Sequence, residues 1–325
     1  MVSVMSGASW DVSVHPMHIP DGFLSVVVAA VFWLITVVLL AVAVRKTQQQ
    51  LGERQIPLMG VMAAFIFAAQ MINFPVAGGT SGHLLGGVLA AVTLGPWAGM
   101  LVMASVIAVQ GLLFQDGGLL VMGANIFNMG LLTAALGSLY YVLAGNQSRG
   151  VKLVVVAVLA WLSVVAGALS TALQLGFSGT SPFGVVVPAM LGVHALIGVG
   201  EALITVAAVA FIMQVRPDLL ATEAGRARGG TGWAIAGLVI ALIVVVMSPI
   251  ASADPDGLER VAINMGFEAA GAAPAYELLP DYVVPFLGET TLSGILAGVI
   301  GVLVVAAVAI VVARLLHRRS AATAQ

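Results

Sequence analysis

The chain has 325 residues, of which 61% are hydrophobic and only 8% are charged, and its mean hydropathy is +1.11. This composition excludes an ordinary soluble protein, and the continuous apolar runs argue against a β-barrel, whose strands alternate. The sequence contains no cysteine, which excludes thiolate metal sites, and its formal net charge of −2 gives no indication of nucleic-acid binding. We therefore predict an all-α, polytopic membrane protein.

Nine apolar stretches are long enough, or nearly so, to cross about 30 Å of hydrocarbon. Seven of them precede a hydrophilic linker and two follow it. The third and fourth are separated only by Gly95-Pro96, so they form either a tight pair or one broken helix. The stretches are residues 22–44, 57–73, 82–94, 96–113, 118–144, 151–175, 185–214, 233–250 and 291–313.

The basic residues orient these spans, because short cytoplasmic loops collect Lys and Arg. With the N-terminus outside and the C-terminus in the cytoplasm, nine spans place eleven of the twelve basic residues inside and leave only Arg260 outside. Merging the third and fourth spans would break this agreement, so we expect two separate helices. The residues predicted to be cytoplasmic are Arg45, Lys46, Arg54, Arg149, Lys152, Arg216, Arg226, Arg228, Arg314, Arg318 and Arg319.

The same pattern divides the chain into modules. Residues 1–16 lack the basic and apolar regions of a signal peptide, and we expect this extension to be absent from the mature chain. Residues 17–215 form a first membrane module, residues 216–232 a cytoplasmic linker, and residues 233–325 a two-helix module. The last two spans enclose an outer loop, residues 252–290, whose seven acidic residues either attract cations or form a solvated connection.

Two of the five histidines, His18 and His83, lie at outer ends of spans, and His83 ends a glycine-rich turn. Taken singly, a histidine at a membrane interface is more often an ordinary polar anchor than a metal ligand. If the chain begins at Met17, its amine, the amide nitrogen of His18 and that imidazole form fused chelate rings, and His83 supplies a fourth nitrogen. Such a site favours Ni(II), Cu(II) or Co(II) over Ca(II) and Mg(II). The sixteen preceding residues would remove the amine.

Further polar residues near the outer ends either orient these ligands or satisfy bent backbone beside the glycines. In the seventh span, His194 and Glu201 are seven residues apart on about one helix face and form a candidate buried polar pair. They either relay protons or ions, or make interhelical hydrogen bonds to an asparagine or a backbone group. The candidates for the orienting role are Asn73, Ser81, Gln115, Asp116, Asn125 and Asn128.

The sequence contains no GxxxxGK[ST] phosphate loop and no HExxH or GxSxG motif, so it predicts neither an ATPase nor a hydrolytic enzyme. A self-sufficient secondary transporter or channel for divalent metal is one function that fits these features, and it would take up metal alone under a proton gradient. An intramembrane enzyme is a second alternative.

Several segments resemble the CbiM/NikM substrate-specific components of energy-coupling-factor transporters for cobalt and nickel. The tail, with Asp254-Pro255-Asp256-Gly257-Leu258-Glu259, resembles the PDGLE module, a small CbiN/NikN-like component, here fused to the first module. The matching segments are MHIPDGFLS at 17–25, NFPVAGGTSGHLLGG at 73–87, FQDGG at 114–118, GANIFNMG at 123–130 and GVHALIGVGEALIT at 192–205.

The resemblance implies a metal site made by the amine of Met17, the backbone nitrogen and imidazole of His18, and the imidazole of His83. It implies a component of the inner or plasma membrane that takes up Ni(II), or Co(II) for cobalamin biosynthesis, without hydrolysing ATP itself. The implied partners are a transmembrane coupling (T) subunit and paired ATPases, in addition to membrane lipid. The metal is then a transported ligand, and no resident cofactor is expected.

Overall fold

The computed structural model describes residues 18–220 and 232–323. Helices dominate both ranges, and the only sheet within them is a two-stranded hairpin. Six of the described helices are long and apolar enough to cross a membrane, so the chain is a polytopic helical membrane protein. Met17, the extension 1–16 and residues 221–231 of the predicted linker lie outside the described residues.

The helices occupy the predicted apolar stretches, and one further helix lies in the outer loop. Strands β1 (Phe74–Val76) and β2 (Thr80–Gly82) pair antiparallel, with Pro75 opposite Ser81. Short 3-10 turns cover Pro217–Leu219, Ser248–Ile250, Glu268–Ala270, Pro280–Tyr282 and Pro285–Leu287. In chain order the helices are α1 (Val26–Gln50), α2 (Gln55–Gln70), α3 (Gly87–Leu94), α4 (Pro96–Phe114), α5 (Met122–Ala144), α6 (Arg149–Ser178), α7 (Phe183–Val215), α8 (Gly232–Val246), α9 (Gly257–Met265) and α10 (Thr291–Thr323).

The turn at Gly95-Pro96 makes α3 and α4 separate helices that pack against each other. Gly95 has φ +86°, which a helix interior does not tolerate, and Pro96 takes the first helical position, where its missing N–H costs nothing. A side chain at Gly99 of α4 would lie 2.9 Å from the backbone nitrogen of Ala91 in α3. The prediction of a tight pair rather than one broken helix is confirmed.

The third span is only partly helical. α3 has eight residues, and residues 83–86 before it are not helical, so their backbone groups need partners inside the bundle. Glu201 of α7 supplies two, because its carboxylate accepts from the amides of Leu85 (2.6 Å) and Gly86 (3.0 Å). Gln70 donates to the carbonyl of Leu85 (2.9 Å), and Gln110 donates to Gln70 (2.9 Å). These side chains satisfy backbone groups of the non-helical segment between β2 and α3.

The loops alternate between two ends of the bundle, which we call the outer end and the inner end after the charge pattern. At the outer end, the loops that carry His18 and His83 contact the outer loop 252–290 through backbone hydrogen bonds. At the inner end, the start of α2 is ion-paired to the segment after α7 through Arg54 and Asp218. The described loops therefore meet in the two groups that the span order requires.

Two apolar cores hold the modules together. The larger lies where α2, α3 and α4 meet α10, and Phe67 and Leu89 within it are fully buried. The smaller joins α9 to the start of the first module, where Phe23 packs edge-on against Phe267 with ring centres 5.2 Å apart. The second core fixes the outer loop directly above the segment that carries His18.

Candidate metal centre

His18 lies in the turn before α1 and is 2% exposed. The next residue fixes its backbone, because the side chain of Asn125 accepts from the amide of Ile19 (3.1 Å) and donates to its carbonyl (3.0 Å). Gly117, with φ +97°, approaches so closely that a side chain there would lie 2.7 Å from the Cβ of His18. The sequence thus places the imidazole inside the protein, on a backbone that cannot shift freely.

The His18 imidazole is bound to Asp116. Its Nδ1 donates to Oδ1 of Asp116 over 2.6 Å, and both side chains are buried. Burial disfavours the charged imidazolium, but the Asp116 carboxylate outweighs it and raises the pKa of His18 above its ordinary value. Nε2 of His18 is buried and has no hydrogen-bond partner among the described residues. A histidine that donates Nδ1–H to a carboxylate presents its other nitrogen to a metal.

His83 follows β2 and lies beside His18. Their ring centres are 6.2 Å apart at an interplanar angle of 51°. Two imidazoles that share one metal ion, with metal–nitrogen distances of about 2.0–2.1 Å, have ring centres up to about 6.5 Å apart. Nδ1 of His83 donates to the carbonyl of Leu84 (3.0 Å), which makes Nε2 the acceptor nitrogen of the neutral ring. The structure therefore brings together the two histidines that the sequence singles out.

The two rings face one cavity at the outer end, roofed by the second module. Asp256 lines it from above, beside His194, and the apolar residues of α6 and α7 form its walls. Among the residues that the structure describes, no three His, Asp or Glu side chains are placed to hold one metal ion. Met17, the predicted source of a further nitrogen donor, lies outside the described residues.

The orientation of His18 bears on the predicted chelate. A ring fused to the residue's own amide nitrogen must close through Nδ1, because Nε2 is too distant along the side chain. In this structure Nδ1 faces Asp116 instead. Coordination through Nε2 needs no rearrangement, whereas the fused-ring chelate requires the imidazole to turn over.

Two of the predicted orienting residues lie on the cavity, and only one of these holds His18. Asn125 clamps Ile19, as described above, whereas Asn128 bonds to Gln174 of α6 (3.0 Å). Ser81 donates from its hydroxyl to the carbonyl of Asp254 (2.7 Å), so it ties the His83 turn to the outer loop.

Asn73 and Gln115 lie further out. The Asn73 carbonyl accepts from the amide of Ser252 (2.8 Å), and no described hydrogen bond joins the Asn73 side chain to either histidine. The Gln115 side chain accepts from the amide of Leu278 (3.1 Å) in the outer loop. Both residues therefore dock the second module.

His194 and Glu201 do not form the candidate buried pair. Seven residues of helix separate them by about 10 Å along the axis, so sharing a face does not bring the side chains into contact. His194 donates from Nδ1 to the carbonyl of Met190 (2.8 Å) and borders the cavity. Glu201 is 0% exposed and accepts from the backbone after His83, which is the alternative of an interhelical bond to a backbone group.

The outer loop is not simply a solvated connection. Pro255 and Asp254 accept from the amide and hydroxyl of Ser81, and Arg260 donates to the carbonyl of Gly79. Asp256 is 6% exposed, and burial raises its pKa to about 7. The loop thus closes over the His83 turn and places one acidic residue at the metal cavity.

Sequence reasoning missed two residues of this site, Asp256 and Tyr282. Tyr282 donates its hydroxyl to Oδ2 of Asp116 (2.7 Å), on the far side of the carboxylate from His18. Asp256 sits in the PDGLE signature, which could have flagged it. Nothing in the sequence separates Tyr282 from the other tyrosine of the same loop, Tyr276.

Comparisons with known proteins agree with this architecture. Residues 18–219 match the family model described as the cobalt uptake substrate-specific transmembrane region CbiM, and residues 231–318 match the PDGLE domain. The chain is 35% identical to a putative fused nickel transport protein NikMN of Archaeoglobus fulgidus, over 92% of this chain and 98% of that protein. It is 30% identical to a fused nickel transport protein NikMN of Rhodobacter capsulatus, over 90% and 95%.

Solved structures agree as well. A crystal structure of a truncated transition metal transporter is 34% identical, with a TM-score of 0.55, and the match covers 61% of this chain and 99% of that one. The matched share corresponds to the length of the first module. With two imidazoles at the predicted place and a family model that spans most of the chain, the protein belongs to the CbiM family, in the fused form that carries a PDGLE domain.

Proposed function

We propose that this chain is the metal-binding component of a Co(II) or Ni(II) uptake system and that His18 and His83 hold the metal at its outer end. The observation that carries the proposal is the pair of neighbouring imidazoles, whose ring centres are 6.2 Å apart. Nε2 of His18 is buried and has no partner among the described residues, and Nδ1 of the same ring lies 2.6 Å from Oδ1 of Asp116. Nitrogen donors without thiolate suit these metals. Relatives named as nickel or cobalt transport proteins support the same substrate class.

Metal binding by the purified full chain in detergent tests the site. We expect His18→Ala and His83→Ala each to abolish high-affinity binding of Ni(II) and Co(II) in a calorimetric titration. His317→Ala is the matched control, because that histidine lies at the inner end, where its Nδ1 donates to the carbonyl of Leu51 (3.2 Å). Retained high-affinity binding in either of the first two variants contradicts the site. Competition between the two metals on the same protein decides which is preferred.

The amine of Met17 is the proposed further ligand, with or without the amide of His18. Mass spectrometry of the native, metal-competent protein should find Met17 as the first residue. A metal-competent chain that still carries residues 1–16 would remove the amine from the ligand set. The imidazole part of the site would be unaffected by that result.

Transport is proposed to require a transmembrane coupling (T) subunit and ATPases, in the inner or plasma membrane, with the metal cavity facing outward. Vesicles that contain those partners should take up metal only when ATP is supplied. Uptake by this chain alone, driven by a proton gradient, would favour the secondary-transporter reading instead. The hydrogen bonds of Glu201 to two backbone amides, and of His194 to the carbonyl of Met190, support the first proposal over a relay between these two side chains.

A reporter fused after Arg319 tests the orientation. We expect the reporter to be cytoplasmic, because the charge pattern places the end of α10 inside. Reporter activity outside the cytoplasm would show that the bundle has the opposite orientation, with the cavity on the cytoplasmic face.

A further inference from the structure

Residues 19–22 connect the proposed metal donors to α1. Apart from His83, every donor of the proposed site belongs to residues 17 and 18. The first residues of a chain are poorly ordered unless contacts tie them down. The place of these donors therefore depends on what holds residues 19–22.

The carboxylate of Asp21 ties this segment to the turn before α5. Its Oδ1 accepts from the amides of Leu120 (2.9 Å) and Val121 (3.2 Å), and its Oδ2 accepts from the amide of Leu119 (3.1 Å). Successive backbone amides at a turn form a concave site for an anion. One side chain thus binds three consecutive amides of a segment about 100 residues further along the chain.

The two segments meet closely because Gly118 lies between them. Its amide donates to the carbonyl of Ile19 (2.9 Å), and a side chain at this position would overlap both the carboxylate and the amide nitrogen of Asp21. Asn125, one turn into α5, bonds to both backbone groups of Ile19. The anchor of Asp21 therefore continues directly into the backbone beside His18.

The second module holds Asp21 from the other side. The amide of Ala272 in the outer loop donates to the carbonyl of Asp21 over 2.7 Å. Gly22 has φ +94°, and a side chain there would overlap the carbonyl of Ala270. Asp21 therefore lies between the two modules, with its side chain bound to the first and its carbonyl bound to the second.

Ser25, four residues later, shows what a polar side chain of this region does when it serves only its own helix. Its hydroxyl oxygen accepts from the amide of Val28 over 3.4 Å and caps the start of α1. That hydrogen bond joins no second segment. Ser25 and Asp21 both accept from backbone amides, but only Asp21 does so between distant parts of the chain.

We propose that Asp21 is a positioning residue for the metal site: its carboxylate holds residues 19–22 against the start of α5, so that the donors of residues 17 and 18 stand beside His83 before the metal arrives. The inference rests on the proposed function. It concerns the backbone of the segment and holds for either ring nitrogen of His18. Because only chains with the segment in place can bind, the apparent affinity falls by the fraction of chains in which it is displaced.

Ni(II) titrations of four variants of the full-length chain in detergent test the inference. Asp21→Ala removes the charge and both acceptor oxygens, whereas Asp21→Asn removes the same charge and keeps one acceptor. Gly118→Ala keeps the charge and displaces the carboxylate. Ser25→Ala is the matched control, because it removes a bond to an amide within α1 alone.

We expect Asp21→Ala and Gly118→Ala to raise the dissociation constant about 3- to 30-fold, as loss of a capping carboxylate that must be made good on binding. Asp21→Asn should lose less affinity, and Ser25→Ala should stay within about 2-fold of the unmodified chain. Thermal unfolding of the metal-free proteins checks that the variants are folded. If Gly118→Ala does not fold, the two variants of Asp21 decide, because they lose the same charge.

Hydrogen exchange separates positioning from simple stabilisation. In the metal-free protein, amides of residues 18–24 should exchange faster in Asp21→Ala than in the unmodified chain, and saturating Ni(II) should slow them again. The same amides should be unaffected in Ser25→Ala. A substitution that only lowered global stability would reduce the unfolding temperature and leave the exchange of this segment in step with that of α5.

The outcomes are distinguishable from failure of the proposed function. If the unmodified chain binds Ni(II) in a His83-dependent way but Asp21→Ala binds equally well, the positioning role is overturned and the metal site stands. Equal losses in Asp21→Ala and Asp21→Asn, or a loss without faster exchange of residues 18–24, overturn it as well, since the charge alone would explain them. If the unmodified chain does not bind metal, the proposed function itself fails.

Discussion

Asp116 at the outer end and Asp218 at the inner end are both buried carboxylates, but a histidine holds the first and two arginines hold the second. Asp218 is ion-paired to Arg54 and to Arg216, whose Nε donates over 2.9 Å. The hydrogen bond from the Arg216 guanidinium outweighs the opposing effect of burial and lowers the pKa of Asp218 well below its usual range. Asp116 instead faces His18 at 2.6 Å.

The partners explain why one end is suited to bind a ligand and the other to tie helices together. A guanidinium always carries its charge and offers only donors, so the arginines around Asp218 present no nitrogen that could bind a metal. An imidazole has a second nitrogen, and that of His18 is buried without a partner among the described residues. The outer pair therefore has a nitrogen that can bind a ligand, whereas the arginines of the inner cluster have none.

The largest expected effect on stability concerns Glu201. It is a third buried carboxylate, and its partners are two backbone amides. Glu201→Leu should lower the free energy of unfolding by about 2–6 kcal/mol, since each buried amide left unsatisfied costs about 1–3 kcal/mol. It should also weaken metal binding, because residues 83–86 would lose their anchor. Thermal unfolding in detergent and a metal titration measure the two effects.

Glu201→Gln is the control for that experiment. It keeps the side-chain volume and one acceptor oxygen, so its loss should be the smaller of the two. Equal losses in both variants would mean that packing, and not the hydrogen bonds to Leu85 and Gly86, holds this segment.

Asp116→Asn tests the outer end directly. The amide keeps the shape but loses the charge that holds His18, and we expect the metal dissociation constant to rise about 10- to 100-fold. Asp218→Asn is the same substitution at the inner end and should leave that constant within about 2-fold. A metal titration of both proteins makes the measurement. Equal effects at the two ends would break the comparison, because the Asp116 contact would then be structural only.

The spans could be predicted from hydrophobicity and charge, since the physics of lipid constrains both. The separate α3 and α4 followed from Gly95-Pro96 together with the basic residues. The non-helical backbone of residues 83–86 could not be predicted, because an apolar run such as His83-Leu84-Leu85 carries no sign that its backbone is not helical. Only the buried Glu201 hinted at a backbone that needed a partner.

The two histidines of the candidate site could be predicted from the sequence, whereas the residues that contact them were harder to predict. His83 ends a glycine-rich turn and His18 precedes the turn Pro20-Asp21-Gly22, and both turns are local signals. Asp116 was one of several polar candidates, and its contact with His18 depends on two chain segments 98 residues apart. Tyr282 is 166 residues from Asp116, and such a pairing arises only once the outer loop has folded over the first module.

The pH dependence of metal binding gives a smaller, graded effect. The metal and a proton compete for His18, and the Asp116 carboxylate overcomes the effect of burial and raises the pKa of this histidine above 6.5. The affinity for the metal should therefore fall as the pH is lowered, beginning at a higher pH than it would for a histidine with an ordinary pKa. Asp116→Asn lowers the pKa, so its midpoint should move to lower pH. Titrations between about pH 6 and 8 measure the shift; an unmoved midpoint would show that Asp116 does not control the proton on His18.

The smallest effect is expected for the stability of the inner end. Asp218→Asn removes the charge of a cluster whose Arg54 and Arg216 side chains are 30% and 20% exposed, so water already screens much of the attraction. We expect a loss of about 1 kcal/mol or less in the free energy of unfolding, seen as a small drop in the unfolding temperature in detergent. Raised salt should shrink the difference between the two proteins, because it screens the partly exposed pairs. A difference that is large and independent of salt would instead show that Asp218, like Glu201, makes hydrogen bonds that the fold cannot lose.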